Sequence, residues 1–347
     1  MTSKSKKNIS KRNTGRTTIA EVAKQAKTSP ISVSRAINNP DVVSKKLLAR
    51  IEKAIEELGY IPNQAASSLA SSESKIICVI FPSFSNAVFS DILDGINDVI
   101  APAGYKIILG HSNYSEQEEV TLIKTMLEQN PAGMIITGID QPENIKNILR
   151  KTKTPTIQIM ELGNDPIDIN VGISHEDAGY ELTEHLYQNG YKNIAFIGAR
   201  MDKRAQRRLR GYKKALTKFK MDPDKYVFTS LENTSFKLGG SMMAEFVNRH
   251  SEIDAIFFSN DDLAAGALFE CQSSGIKVPE QLGIAGFNDL EFASETCPSI
   301  TTVSVPRYEM GTEAAKSILN KFNNLETPNK IDLGFKIIPR DSTKNYL

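Results

Sequence analysis

Three groups of side chains in this sequence have types and spacings that suit recognition chemistry. Pro30, Ile31, Ser34 and Arg35 share one face of a short helical pattern. An Arg presented that way can fork onto a guanine edge in a major groove, and an apolar neighbour can meet a thymine methyl. Downstream, Arg200, Lys203, Arg204, Arg207, Arg208 and Arg210 crowd one segment. A helix of this kind is expected to turn most of its cations to solvent. A planar guanidinium turned inward would take a carboxylate with two parallel hydrogen bonds. The third group, Phe89, His111, Glu161, Asn260, Asp261 and Asn288, follows apolar runs that read as strands. No GxGxxG, P-loop, HExxH or GxSxG occurs, so no phosphate cradle, metal pair or nucleophile elbow supports an enzyme. His175, His185 and His250 fall in helical patterns, as surface or core residues. Cys78, Cys271 and Cys297 are far apart and lack metal-ligand spacing. They read as small buried side chains in a reducing compartment, hence the cytoplasm. No cofactor and no metal are expected.

The elements that must position the first group lie between Thr18 and Gly59. Ile19, Val22, Ala23 and Ala26 make one apolar helical face, Lys27 and Thr28 a turn, and Val33, Ala36 and Ile37 a second face. Ser29 can cap the second helix, with Pro30 at its first position, where no N–H is needed. Asn39-Pro40-Asp41 is a turn signal. Ser44 is expected to cap a third helix carrying Leu47, Leu48, Ile51, Ile55 and Leu58 and stopped by Gly59. This is the helix-turn-helix plan, in which the second helix enters the major groove. The alternative is an ordinary helical hairpin in a core. Charge argues against it: residues 1–72 carry 13 Lys and Arg against 5 Asp and Glu, whereas the whole chain is only +1. A basic head on an acidic body suits a polyanion met by the head alone.

The elements behind the other two groups form a βαβα alternation. The continuous apolar run at 76–81 reads as a strand buried on both faces, and further strands follow at 106–110, 133–137, 156–160, 193–198, 255–259 and 283–287. Helical patterns fall at 86–103, 115–129, 142–151, 175–189, 204–219, 235–250 and 261–274. That rhythm implies parallel sheets covered by helices in two lobes, with ligands beyond the carboxyl ends of strands. The fold class is α/β with a small all-α headpiece. The division read here is a disordered basic arm at 1–16, the headpiece at 17–62, a hinge linker at 63–74 and a body at 75–347. Within the body, lobe 1 is about 75–173 plus 304–332, and lobe 2 about 174–303 plus 333–347. Hydrophobic content of 40% and charged content of 24% are ordinary for a globular chain. No run reaches a membrane span, so no membrane partner is expected, and the basic N-terminus has no apolar stretch of a secretory signal. No heptads follow the terminal RDST, so no coiled-coil tetramer is expected.

The motifs EVA…SVSRAIN, GYIPN…L, SND-D, GFND and RDST occur in an order that resembles the lac-repressor/galactose-repressor family of bacterial transcription regulators. The resemblance covers nearly the whole chain. PSFSNAVF, NDDLAAGALFECQ, PRYEMG and DLGF look most like its gluconate-regulating members. It implies a periplasmic-binding-protein-like body of two doubly wound parallel-sheet lobes, and a repressor working as a homodimer on a near-palindromic operator. It implies phosphate contacts from Ser29, Ser34 and Asn38, base reading from positions 30, 31 and 35, and a DNA-facing surface that includes Thr18 and Ser32. Pro30 departs from many members, since it has no hydrogen-bonding side chain, which leaves Arg35 as the main polar reader. The linker, with Asn63, Ala66 and Leu69, would fold in the minor groove, where Leu69 wedges into a base step. The alternative for Leu69 is an ordinary apolar contact.

For the body the resemblance places ligand contacts at Arg208, Asn260 and Asn288. Many members have Asp where this chain has Asn288. Asn can both donate to and accept from vicinal hydroxyls. Arg204 stands one turn before Arg208, and the pair suits an anionic ligand. The expected effector is therefore gluconate or another sugar acid acting as inducer. A neutral sugar or a corepressor remains open, as does a bare sugar-binding module without DNA function, which would lack the basic head.

Overall fold

The structure, a computed structural model, describes residues 17–61 and 74–343. The arm at 1–16, Pro62, the linker with Asn63, Ala66 and Leu69, residues 344–347 and the side chain of Asn38 lie outside the described residues. The chain divides into two units, Met1–Ser74 and Lys75–Leu347.

In the first unit, α1 (Ile19–Gln25) begins at Thr18 with a reciprocal capping box. The Glu21 backbone N–H donates to the Thr18 hydroxyl, and the Glu21 carboxylate accepts from the Thr18 N–H at 2.7 Å. Helix α2 (Pro30–Asn38) is capped by Ser29, whose hydroxyl accepts from the Ser32 N–H at 3.1 Å, and Pro30 opens the helix. After a 3₁₀ turn at Pro40–Val42, α3 (Lys45–Leu58) ends at Gly59, in the left-handed region at φ 57°. Ser44 stands at the N-cap of α3, but its hydroxyl makes no cap bond, contrary to the expectation. Val22, Ala23, Ala26, Val33, Ala36, Ile51 and Ala54 form the core. Arg50 ties α3 to the turn by donating to the carbonyls of Ala26 and Lys27.

The second unit contains two parallel sheets. The first has strands β1 (Ile76–Phe81), β2 (Lys106–His111), β3 (Gly133–Thr137), β4 (Thr156–Glu161), β5 (Ile169–Ile173) and β11 (Lys330–Asp332), in the order β11-β5-β4-β3-β1-β2. The second has β6 (Ile194–Ala199), β7 (Val227–Ser230), β8 (Ala255–Phe258) and β9 (Gly283–Ala285), in the order β7-β6-β8-β9. Strands β10 (Thr302–Ser304) and β12 (Lys336–Ile338) pair antiparallel where the chain passes between the lobes. The flanking helices include α4 (Val88–Ile100), α5 (Glu116–Leu127) and α6 (Glu143–Thr152) in the first lobe. The second lobe has α7 (His175–Gln188), α8 (Lys203–Lys218), α9 (Phe236–Arg249), α10 (Asp261–Ser274) and the short α11 (Glu291–Glu295). Helix α12 (Arg307–Phe322) returns to the first lobe and packs on α4. Strands β1, β6 and β8 are almost wholly buried, as continuous apolar runs covered on both faces must be, and β4 is buried along its length although it carries Thr156, Gln158 and Glu161. Among the described residues no helix is long and apolar enough to cross a membrane.

Two glycines fix the seat of α8 against α7. A Cβ on Gly211 would strike the carbonyl of Glu176, and one on Gly179 would strike the backbone of Arg208. The helices approach at backbone distance, which sets how far Arg208 reaches.

Candidate functional site

Helix α8 starts at Asp202, whose carboxylate accepts from the backbone N–H of Arg204 and Ala205 at 3.0 and 3.2 Å. With the start fixed, Arg204 and Arg208 fall one turn apart on the inner face. Arg208 is buried. Its Nε donates to His175 Nδ1 at 3.1 Å, Nη1 donates to the Ser259 carbonyl, and the guanidinium lies 3.7 Å from the centre of the Phe287 ring. Burial pushes the Arg208 pKa down to about 10, so it stays charged at neutral pH.

His175 is fully buried. Because Nδ1 accepts from Arg208, Nε2 carries the proton and donates to the Met160 carbonyl at 3.1 Å. Burial, and then the adjacent Arg208, hold the imidazole well below its ordinary range, so it is neutral. Reading His175 as a core residue agrees with its burial. Its grip on Arg208 has no signature in the sequence.

Arg208 opens onto a cleft between the lobes. The first lobe contributes Asn86, Val88, Phe89, Tyr114 and Met160, and the second Arg200, Asp202, Arg204, Ser259, Asn260 and Asn288. Phe89 stacks on Phe81 at 5.0 Å, and the Arg204 guanidinium sits 5.6 Å from its ring centre. Asn260 caps α10, its Oδ1 accepting from the Leu263 N–H at 3.0 Å, which leaves its NH₂. Asn288 is buried, and no described residue hydrogen-bonds its side-chain amide. The Ser259 hydroxyl is also buried, without a hydrogen-bond partner among the described residues. The cleft therefore lines up unspent donors and acceptors, as a polyol requires. Asp261 holds the Asn288 loop, accepting from the Leu290 N–H at 2.9 Å and the Thr302 hydroxyl at 2.6 Å. Burial raises its carboxyl to about 6.

The cleft's charge is positive: three guanidiniums face one carboxylate, Asp202. Burial alone would raise the Asp202 carboxyl, but Arg204 and Arg208, with the cap N–H groups, outweigh it and hold the pKa low. Backbone strain gathers here too. Tyr114, Met160, Arg200 and Asn288 all line the cleft with φ of 58°, 81°, 60° and 115°. Each such residue costs about 1–3 kcal/mol, and such costs concentrate at binding sites.

His111 and Glu161 are not brought to the cleft. Strand β2 is the edge of its sheet, so His111 ends on the surface, 5.0 Å from the Phe84 ring. Alternation along β4 puts Met160 at the cleft and turns Glu161 elsewhere. Its Oε2 lies 3.4 Å from Arg207 Nε, and burial pushes its pKa up to about 7 despite that cation. Arg207 also binds Asp140 through two bonds of 2.8 Å, joining α8 of the second lobe to the first. The expected solvated face is thus wrong for Arg200 and Arg207, and holds for Lys203 and Arg210. Arg200, Tyr114, Asn86, Asp202 and Ser259 were not foreseen as lining residues. The carboxyl-end rule covers Ser259 and Arg200, which follow β8 and β6, and would have found them.

In the headpiece, Pro30, Ile31 and Arg35 are exposed on α2, with Ile31 66% exposed in a domain with little apolar surface to spare. Thr18 and Ser29 are exposed at the starts of α1 and α2, while Ser32 and Ser34 are half-buried.

Residues 18–63 match the family described as bacterial regulatory proteins, lacI family, and residues 183–343 match a periplasmic binding protein-like domain. The chain is 36% identical to the HTH-type transcriptional regulator GntR of Pseudomonas aeruginosa, covering 96% of this chain and 97% of that one. A LacI-family transcriptional regulator from Silicibacter pomeroyi superposes with a TM-score of 0.89 at 32% identity, over 95% of this chain and 100% of that one. The transcription regulator GntR from Chromobacterium violaceum gives 0.75 at 37%, over 78% of this chain and all of the other.

Proposed function

The chain belongs to the lacI family of bacterial regulatory proteins, and from that premise we propose that it represses an operon for sugar-acid use and is released by gluconate or a close relative. It is a DNA-binding transcriptional regulator and not an enzyme. The observation that carries the ligand reading is the cleft's balance of three guanidiniums against one carboxylate, beside the free amide of Asn288. Guanidiniums suit a carboxylate, and amides suit the hydroxyls of its chain.

Arg35 and Ile31 read base edges, Ser29, Ser34 and Asn38 hold phosphates, and Leu69 of the linker wedges the minor groove. One headpiece reads too few bases alone, so the active form is a homodimer on a near-palindromic operator. Half-exposed Ile108 and Leu109 on edge strand β2, and Phe236 and Phe269 on α9 and α10, support a second copy as occupant of those faces. A DNA partner supports a cytoplasmic location.

Calorimetry with gluconate, glucose and 6-phosphogluconate, paired with operator binding in each ligand, tests the reading. We expect an acid to bind most tightly and to weaken DNA binding. Tighter binding of glucose overturns the anion assignment, and a ligand that strengthens DNA binding makes this a corepressor system.

A further inference from the structure

We infer that Arg200, stacked across the cleft on Tyr114, is the residue that fixes the ligand's carboxylate and so sets the preference for an acid over a neutral sugar. This rests on the sugar-acid reading and adds the group that carries it. The three cleft guanidiniums are not equally free. Arg208 has Nε and Nη1 committed to His175 and Ser259, and one face on Phe287. Arg204 is offset by Asp202, 3.6 Å away. Arg200 donates once, from Nη2 to the Thr234 hydroxyl at 3.2 Å, and makes no ion pair with a described carboxylate, although its charge reaches the Asp262 carboxyl. Its Nε–H is buried and has no acceptor among the described residues. A buried N–H left so costs about 1–3 kcal/mol, and Nη1, which also makes no hydrogen bond to a described residue, leaves this cleft-lining guanidinium with donors for an anion.

The placement of Arg200 is costly in itself. Arg200 and Met201, directly after β6, both adopt left-handed backbone, at φ 60° and 47°. Across the cleft, Asn113 and Tyr114 do the same at 51° and 58°. The two strained turns bring the guanidinium carbon to 3.8 Å from the Tyr114 ring centre, and the Tyr114 hydroxyl accepts from Asn86 at 3.4 Å. A cation on an aromatic face keeps its in-plane N–H groups available, so the stack orients Arg200 without consuming its donors. The hydroxyls of the ligand then fall to Asn260, Asn288 and the uncommitted donors of Arg208.

The test is calorimetry of gluconate, 6-phosphogluconate and glucose on full-length wild type, Arg200→Gln and Arg200→Lys. Arg200→Gln is expected to weaken gluconate at least tenfold and to lower the gluconate-to-glucose preference by a similar factor. Arg200→Lys, which keeps the charge and loses the planar stack, should recover part of that preference and gives the measurement if the Gln variant does not fold. Equal weakening of both ligands makes Arg200 a structural clasp and overturns the inference, as does unchanged gluconate affinity. A wild type that binds neither gluconate nor 6-phosphogluconate fails the sugar-acid reading itself. A wild type that binds either acid with no loss in the Arg200 variants fails this inference alone.

Discussion

At the scale of single residues, the cleft works through groups whose charge is set by burial. His175 can hold Arg208 only while neutral, and its enclosure keeps it so. Glu161 is the opposite case, an acid whose enclosure raises its pKa to about 7, with Arg207 beside it and Arg208 near. The folded value lies above the ordinary 4.5. The contribution of Glu161 to stability is therefore fully present below about 4.5 and is lost as pH rises through about 7. The full effect is on the order of 3 kcal/mol. Between pH 5 and pH 8 we expect the melting temperature of wild type to fall relative to that of Glu161→Gln; His175, held neutral and so acting in the opposite direction, is common to both proteins. Asp261, raised in the same direction, is common to both proteins and cancels in the difference. Parallel melting curves for the two proteins across that range would remove Glu161 from the account.

At the scale of elements, α8 decides the site, because its seat on α7 is a backbone contact. Gly211→Ala puts a methyl against the Glu176 carbonyl and the Tyr180 N–H, neither of which can swing away. The helices must part, which costs about 1–3 kcal/mol and draws Arg208 off His175. Thermal denaturation should show the loss of stability, and gluconate binding should weaken beyond what the lower stability explains. A variant with wild-type affinity would mean that the helix pair does not set Arg208. The start of α8 was legible to within one residue, because a basic amphipathic run after a strand has a local signal. So were the headpiece core and the strand at Gly133–Thr137. Strand β5, the short edge strand β7 and helix α12 were not recognised. In β5 a burial pattern without a clean apolar run hides the strand. Strands β10 and β12 are three residues each and owe their pairing to partners about thirty residues away. No spacing rule could link Arg207 to Asp140, which stands 67 positions earlier.

At the scale of the molecule, the cleft matters because both lobes own it. Phe89 and Tyr114 come from one lobe, and Arg200, Asn260 and Asn288 from the other. Contacts already join the lobes: Arg207 to Asp140, Arg200 to Tyr114, and Arg307 of α12, held by Asp91 in its own lobe, to the carbonyls of Asn288 and Asp289. A ligand held from both sides favours whichever lobe arrangement brings those groups together, and it can shift DNA binding only by its differential affinity for that arrangement. The coupling must then be reciprocal: if gluconate weakens operator binding by some factor, operator weakens gluconate binding by the same factor. Couplings of this kind run to about 5–150-fold. The check is one closed cycle, with operator titrated with and without saturating gluconate, and gluconate titrated with and without saturating operator, at one salt concentration, since headpiece binding to phosphates is salt-dependent. Equal factors are expected. Gluconate that binds the cleft while leaving operator affinity untouched would separate the cleft from regulation altogether.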